Sequence, residues 1–346
     1  MSEIRNLLIY WYAQNKRQLP WREQFDPYKI WLSEIILQQT RVNQGYQYFI
    51  KITDAFPNIQ ALASASENEV LKLWQGLGYY ARARNMHFAA KQVVDQYNGI
   101  FPNSYNQLLT LKGVGQYTAA AIASMAFNEP VAVVDGNVYR VLARVFGIET
   151  PINSTNGKSV FQEIANKLLD RAQPGIFNQA IMEFGALWCT PASPNCDDCI
   201  LASFCEAKNK NSVNKLPVKL PKEKVKVRYL YYMVLFDNNQ IVINKRTKND
   251  IWKGLYDFPI IETSTELTEQ ELINNYFSDF FNNEKIKIVE ISEQYTHKLT
   301  HRLLIARFYS IQTRFAPQDA IKIDISTLRE YPMPRLIELF VNNIFL

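Results

Sequence analysis

No stretch of this 346-residue sequence is apolar for long enough to cross a membrane as a helix. The longest run of small apolar residues, Thr118 to Phe127, falls well short of the about 20 residues that a span requires. A secretory leader is not expected either, because the one short apolar run near the start, Leu7 to Tyr12, has no small-residue cleavage pattern after it. There is no internal repeat. Neither sign of charge dominates: 38 Lys and Arg face 33 Asp and Glu, and the net charge of +5 is compatible with a polyanionic partner without demonstrating one. Cysteine is missing everywhere except positions 189, 196, 199 and 205. These absences argue against a helical membrane protein, a disulfide-framed secreted domain and a repeat array. They lead to the expectation of a cytoplasmic globular chain, long enough for two domains that each bury a core.

The four cysteines form C-x6-C-x2-C-x5-C. Four thiols so close in sequence suit a 4Fe–4S cluster, which takes one thiolate per iron. Two disulfides belong to small secreted domains rather than a long chain without a leader. Structural zinc usually shows two close ligand pairs, and here one C-x2-C has two outlying partners. Around this loop the pattern changes along the chain. Residues 1–207 carry apolar side chains at helical spacing, as in Ile30, Trp31, Ile35 and Leu37. Residues 208–228 hold Lys208, Lys210, Lys215, Lys219, Lys222, Lys224, Lys226 and Arg228 against Glu223, with Pro217 and Pro221, and read as a basic linker, solvated or lying along a polyanion. From residue 229 the period becomes that of strands. Expected strands are Tyr229 to Phe236, Gln240 to Asn244, Lys285 to Ile291 and Leu303 to Ile311, the first two joined by a turn at Asp237-Asn238-Asn239.

Five stretches of the helical region carry chemistry. In Trp31 to Thr40, Glu34 lies among apolar neighbours, where a carboxyl would keep its proton near neutrality; taken alone, an exposed helix glutamate is the simpler reading. Gln38, Gln39 and Thr40 put three polar groups on one turn, facing base edges or water. In Trp74 to Asn85, two glycines flank Leu77, Tyr79 follows, and Arg82 and Arg84 suit phosphates; the plain reading is a helix-joining turn. Gly113-Val114-Gly115 opens an Ala-rich helix whose first N–H groups favour an anion. Asp135 follows an apolar run and precedes a helical pattern with Asn137 in it, so an N-cap is the simplest role. Asn178 to Cys189, with Gln179, leads into the cysteine loop.

The cysteine spacing resembles the iron–sulfur loop of the endonuclease III superfamily of DNA glycosylases. Leu111 to Ala119, L-x-G-V-G-x-x-T-A, resembles that superfamily's helix–hairpin–helix. Within it, W-L-S-E-x-x-L-Q-Q-T at Trp31 to Thr40, with Tyr117 where bifunctional members carry a Schiff-base lysine, resembles the MutY adenine DNA glycosylases. Arg246 and Trp252 to Pro259 resemble a Nudix motif, but Ile260 to Phe281 lacks the acidic metal box, which implies recognition without nucleotide hydrolysis. The resemblance implies an α + (α+β) chain: an all-helical helix–hairpin–helix glycosylase domain at 1–207 with one 4Fe–4S cluster held at 189–205, the linker at 208–228, and a Nudix-like α+β domain at 229–346.

It further implies hydrolytic removal of adenine opposite 8-oxoguanine or guanine in double-stranded DNA, without strand cleavage, by a monomer acting on the nucleoid. Glu34 is then the acid, Asp135 stabilises the sugar cation, and Asn137 and Tyr117 orient Asp135 and the pocket. Trp21, Arg22, Leu37, Val42 and Gln179 match the adenine pocket, and Gln39, Thr40, Leu77 and Tyr79 the wedge beside the oxidised base. Thr300 and His301, preceded by His297, match its probe loop, with Leu299 in place of an aromatic wedge. The loop 190–195 lacks the Lys or Arg of relatives, and Lys208 and Lys210 are expected to supply that charge. A pyrimidine glycosylase of the same superfamily, a non-catalytic iron–sulfur DNA-binding protein and a nucleotide pyrophosphatase remain as alternatives.

Overall fold

Caps and apolar spacing account for most of the helices. Asp26 accepts from the Tyr28 N–H with Pro27 in the first turn, Ser66 and Glu69 form a capping box, and Asp135 accepts from the N–H groups of Asn137 and Val138. The computed structural model describes residues 1–22, 25–221, 225–282 and 286–344. They divide into two units, 1–64 with 85–221 and 65–84 with 222–346. The helices are α1 Ser2–Asn15, α2 Pro27–Leu37, α3 Val42–Ala55, α4 Ile59–Ser64, α5 Glu67–Trp74, α6 Ala81–Tyr97, α7 Tyr105–Leu108, α8 Gln116–Phe127, α9 Gly136–Val145, α10 Thr155–Leu168 and α11 Pro174–Leu187.

The first unit is helical. α8 and α11 are predominantly apolar and mostly buried, so they contribute chiefly to its interior. One core gathers Leu8 and Trp11 of α1, Val138 and Leu142 of α9, Phe161 of α10, and Phe177 and Phe184 of α11. Each such burial contributes roughly 1.5–3 kcal/mol. Two glycines are needed where they stand. Gly113 turns the hairpin at φ +78°, and a Cβ there would lie 2.7 Å from that of Asn85. Gly185 lets α11 touch α9, since a Cβ would sit 2.8 Å from that of Asn137.

The linker reading needs correction. Residues 208–221 belong to the first unit: Leu216 is buried in its core, the Ile152 N–H donates to the Val218 carbonyl at 3.0 Å, and the Leu220 N–H donates to Asn153 Oδ1 at 2.8 Å. Apolar residues between the lysines outweigh the charge pattern. Lys222, Glu223 and Lys224 lie outside the described residues, as does Lys285 of an expected strand.

The second unit is α+β. Its described strands are β1 Lys226–Asp237, β2 Gln240–Lys245, β3 Tyr256–Asp257, β4 Ile260–Thr263, β5 Lys287–Ile291, β6 Tyr295–Lys298, β7 Arg302–Gln312 and β8 Ile321–Asp324. The sheet runs β3-β2-β1-β7-β5, with β4 on β1, β6 on β7 and β8 on β2. The long β1 and β7 pair in parallel from Lys226↔Arg302 to Phe236↔Gln312. Asn238, at φ +52°, makes the expected turn between β1 and β2. Residues 65–84, expected with the helical domain, group here through their own bonds. Asn68 Nδ2 donates to Tyr256 Oη at 3.1 Å, Lys72 Nζ caps the Arg329 carbonyl, and the Tyr80 hydroxyl reaches the Met333 carbonyl at 3.4 Å.

Candidate active site

α2 is buried along most of its length, from Tyr28 and Ile30 to Ile36, and its one carboxylate is buried with it. Glu34, on α2, is 9% exposed and opens onto a cavity of about 620 Å³ in the first unit. The hydroxyl of Tyr117, in the first turn of α8, donates to Glu34 Oε2 at 2.5 Å. Burial raises the Glu34 carboxyl to about 7; the Tyr117 bond and the Arg22 charge oppose the rise and the Asp135 charge adds to it. Tyr117 is pushed well above the ordinary phenol value by burial and by the two carboxylates. Glu34 therefore exchanges its proton near neutrality while Tyr117 keeps its own.

Asp135 caps α9. Its Oδ1 accepts from the N–H groups of Asn137 at 2.9 Å and Val138 at 2.7 Å, and its Oδ2 from Asn137 Nδ2 at 2.8 Å. The N-cap expected from the sequence is formed, and the same side chain lines the cavity. Burial raises its carboxyl, and these donors together with Arg140 resist the rise by binding the charged form. Arg140 Nη2 donates to Asn137 Oδ1 at 3.0 Å, and its Nε to the Cys189 carbonyl at 2.7 Å.

The cavity brings together Glu34, Asp135, Tyr117 and Asn137 with Trp21, Arg22, Leu37, Val42, Gln179 and Thr40. Sequence reasoning assigned no role to Arg17, Glu183, Met182 or Tyr12. Glu183 binds Arg17 and Arg22 in one fork, Met182 Sδ lies 3.6 Å from the Tyr117 hydroxyl, and the Tyr12 hydroxyl donates to Gln179 Oε1 at 2.7 Å. Glu183 and Gln179 sit four apart on α11, and that spacing is the signal that could have found them.

The cysteines lie on a loop just past α11. Arg144 Nη1 donates to Cys189 Sγ at 3.4 Å, and the Cys205 thiol donates to the Arg144 carbonyl at 3.5 Å. Burial raises the Cys199 thiol to about 11, and it is close enough to feel Cys189, Cys205 and Cys196. Among the described residues no three His, Cys, Asp or Glu converge tightly enough for a single metal ion. Cys199 and Cys205 both feel Cys189 and Cys196, so the four thiols share one neighbourhood, as the thiolate ligands of an iron–sulfur cluster do. The expected phosphate lysines are occupied otherwise: Lys208 Nζ donates to the Cys196 carbonyl at 2.9 Å and pairs with Asp197 at 3.4 Å, and Lys210 pairs with Glu206 at 3.0 Å. Lys208 braces the loop, whereas Lys210 stays exposed and pairs along its own helical turn.

Gln39 is exposed at φ +57°, and Gly113 and Gly115 are exposed on either side of the buried Val114. In the second unit, Tyr79 is 49% exposed at φ +51°, and its hydroxyl hydrogen-bonds to Thr300 Oγ1 at 2.6 Å. Thr300 and His301 stand exposed at the tip of the β6–β7 hairpin, closed by the Leu299 N–H on the Arg302 carbonyl at 2.8 Å, while His297 packs on Trp252. Leu77, expected as a wedge, is buried. Arg82 lies over the rings of Trp74 and Tyr79, and Arg84 donates to the Lys253 carbonyl, so both guanidiniums already serve the fold.

A family model described as "HhH-GPD superfamily base excision DNA repair protein" matches residues 32–171, and one described as "NUDIX domain" matches residues 231–343. The adenine DNA glycosylase of Buchnera aphidicola subsp. Baizongia pistaciae is 36% identical over 300 residues, covering 86% of this chain and 82% of that protein. That of Buchnera aphidicola subsp. Schizaphis graminum is 33% identical over 339 residues, covering 96% of each. A solved thermostable thymine-DNA glycosylase superposes with a TM-score of 0.56 at 28% identity, over 60% of this chain and 96% of that one.

Proposed function

This chain belongs to the adenine DNA glycosylase family of base-excision repair, and from that premise we propose that its cavity removes adenine mispaired with 8-oxoguanine, or with guanine, from double-stranded DNA in the cytoplasm. The observation that carries the reading is that the buried Glu34 and the half-buried Asp135 line one cavity, with a tyrosine, not an amine, bonded to Glu34.

Adenine is a poor leaving group and departs more readily once a ring nitrogen is protonated. A flipped adenine seated between Trp21, Leu37 and Val42 meets the protonated Glu34. Tyr117, bonded to Oε2, leaves Oε1 to deliver the proton. The sugar takes on cationic character, and Asp135, fixed by Asn137 and the α9 N–H groups, stabilises it by the two-carboxylate logic of glycosidases. Glu34, now ionised, activates water. The four cysteines would hold a 4Fe–4S cluster, which supplies a rigid, charge-bearing anchor for the loop rather than redox work on the substrate. Tyr79 and Thr300 support discrimination of the oxidised base, since their paired hydroxyls lie exposed side by side.

The test uses end-labelled duplexes with adenine opposite 8-oxoguanine, each reaction split with and without hot alkali. Cleavage only after alkali is the expected result. Cleavage without alkali would reveal a lyase, and tight binding without base loss would leave a non-catalytic DNA-binding protein.

A further inference from the structure

Glu183 is the most completely engaged carboxylate of the helical unit. Its Oε1 accepts from the Arg17 N–H at 3.1 Å, Arg17 Nε at 2.7 Å and Arg22 Nη1 at 2.9 Å, and its Oε2 from Arg17 Nη2 at 2.6 Å and Arg22 Nη2 at 2.7 Å. The side chain is 1% exposed. Burial alone would raise this carboxyl, but the bonds from Arg17 and Arg22 outweigh it and hold it at about 2, so it is ionised at any working pH. The fork of two guanidiniums and one carboxylate carries a net charge of +1. Its inner member, Arg22, lines the same cavity as Glu34 and acts on it through space.

We propose that Glu183 is a positioning residue for the Glu34 chemistry: it clamps Arg22 to Arg17 at the cavity wall and so limits how much positive charge reaches the Glu34 carboxyl. The proposal rests on the reading of Glu34 as the general acid. In a water-poor site a single charge alters a neighbour's proton affinity far more than it does at a surface. The groups acting on Glu34 are Tyr117 from α8, Asp135 at the start of α9, and Arg22 from the segment before α2. From α11, Glu183 acts through Arg22. Arg41 and Arg140 also line the cavity; Arg41 is exposed and screened, and Arg140 is turned to Asn137 and to the Gly185 and Cys189 carbonyls. A fork that lost its carboxylate would present +2, hold Glu34 ionised to lower pH, and leave less acid for protonating adenine.

The experiment is single-turnover adenine release by the full chain across the range from about pH 5.5 to 9, with Glu34 titrated in parallel by carbon NMR of labelled carboxyls. Wild type should lose rate as pH rises through about 7. Glu183→Gln should move that limb to lower pH by about half a unit or more. Arg17→Gln leaves the fork neutral and should move it to higher pH. The double variant restores +1 and should return it. Glu183→Asp, which keeps the charge, should hold the wild-type limb even where DNA affinity falls. Equal limbs in all variants, with uniform rate loss, would overturn the proposal and leave Glu183 a packing residue while the Glu34 reading stands. A wild type without the limb would overturn both. If Glu183→Gln fails to fold by circular dichroism, the direction of the Arg17→Gln shift decides.

Discussion

A carboxyl buried at position 34 binds its proton more tightly in the folded chain than in the unfolded one. The sign of its linkage follows. Its contribution to stability is fully present below the ordinary value of 4.5 and is lost as pH rises through about 7, where folding must bury a charge. Glu34→Gln keeps an acceptor for the Tyr117 hydroxyl and removes the titration. It should abolish base excision, yet stabilise the chain at pH 8 by up to about 3 kcal/mol and by almost nothing at pH 4. Thermal melts of both proteins across that range check this, and a constant difference would reject the buried-acid reading. Asp135→Asn keeps the cap, because the amide oxygen still accepts from the α9 N–H groups, but loses the negative charge. Binding to an A·8-oxoguanine duplex should persist while the single-turnover rate drops at least about 10³-fold. Retained activity would remove Asp135 from the chemistry.

The contact between α11 and α9 is set by the absence of a side chain at Gly185. An added methyl meets Asn137 at 2.8 Å, and Asn137 is the residue that holds Asp135 Oδ2. Gly185→Ala should cost about 1–3 kcal/mol of stability through overpacking. It should also slow base release about tenfold or more through misplacement of Asp135, with DNA affinity little changed. Rates and gel-shift affinities measured together separate the two effects. The β6–β7 hairpin acts as a unit of another kind. Its tip holds Thr300 against Tyr79, so Thr300→Ala should narrow the preference for 8-oxoguanine over guanine opposite adenine. Equal loss on both duplexes would mark a general DNA contact.

The second unit takes residues 65–84 from the middle of the helical sequence; α5 is anchored there by Asn68 and Lys72, and the turn after it by Tyr80. Truncation after residue 221 should leave the core around α1, α9, α10 and α11 folded but lower the melting temperature, because α5 and its turn lose their packing partners; an unchanged melt would show that 65–84 needs no support from the C-terminal residues. A family resemblance supplied part of the cavity lining; by itself the sequence determined the element types, the change from helix to strand near 229 and the cysteine loop. Those signals are local: apolar period, capping residues, glycine turns and cysteine spacing. Only tertiary structure decided that 208–221 packs down, that Leu77 is inside, that Lys208 braces the loop, that Glu34 is buried rather than solvated, and that Glu183 gathers two arginines. Burial and pairing depend on which distant elements meet, and a local pattern carries no record of that.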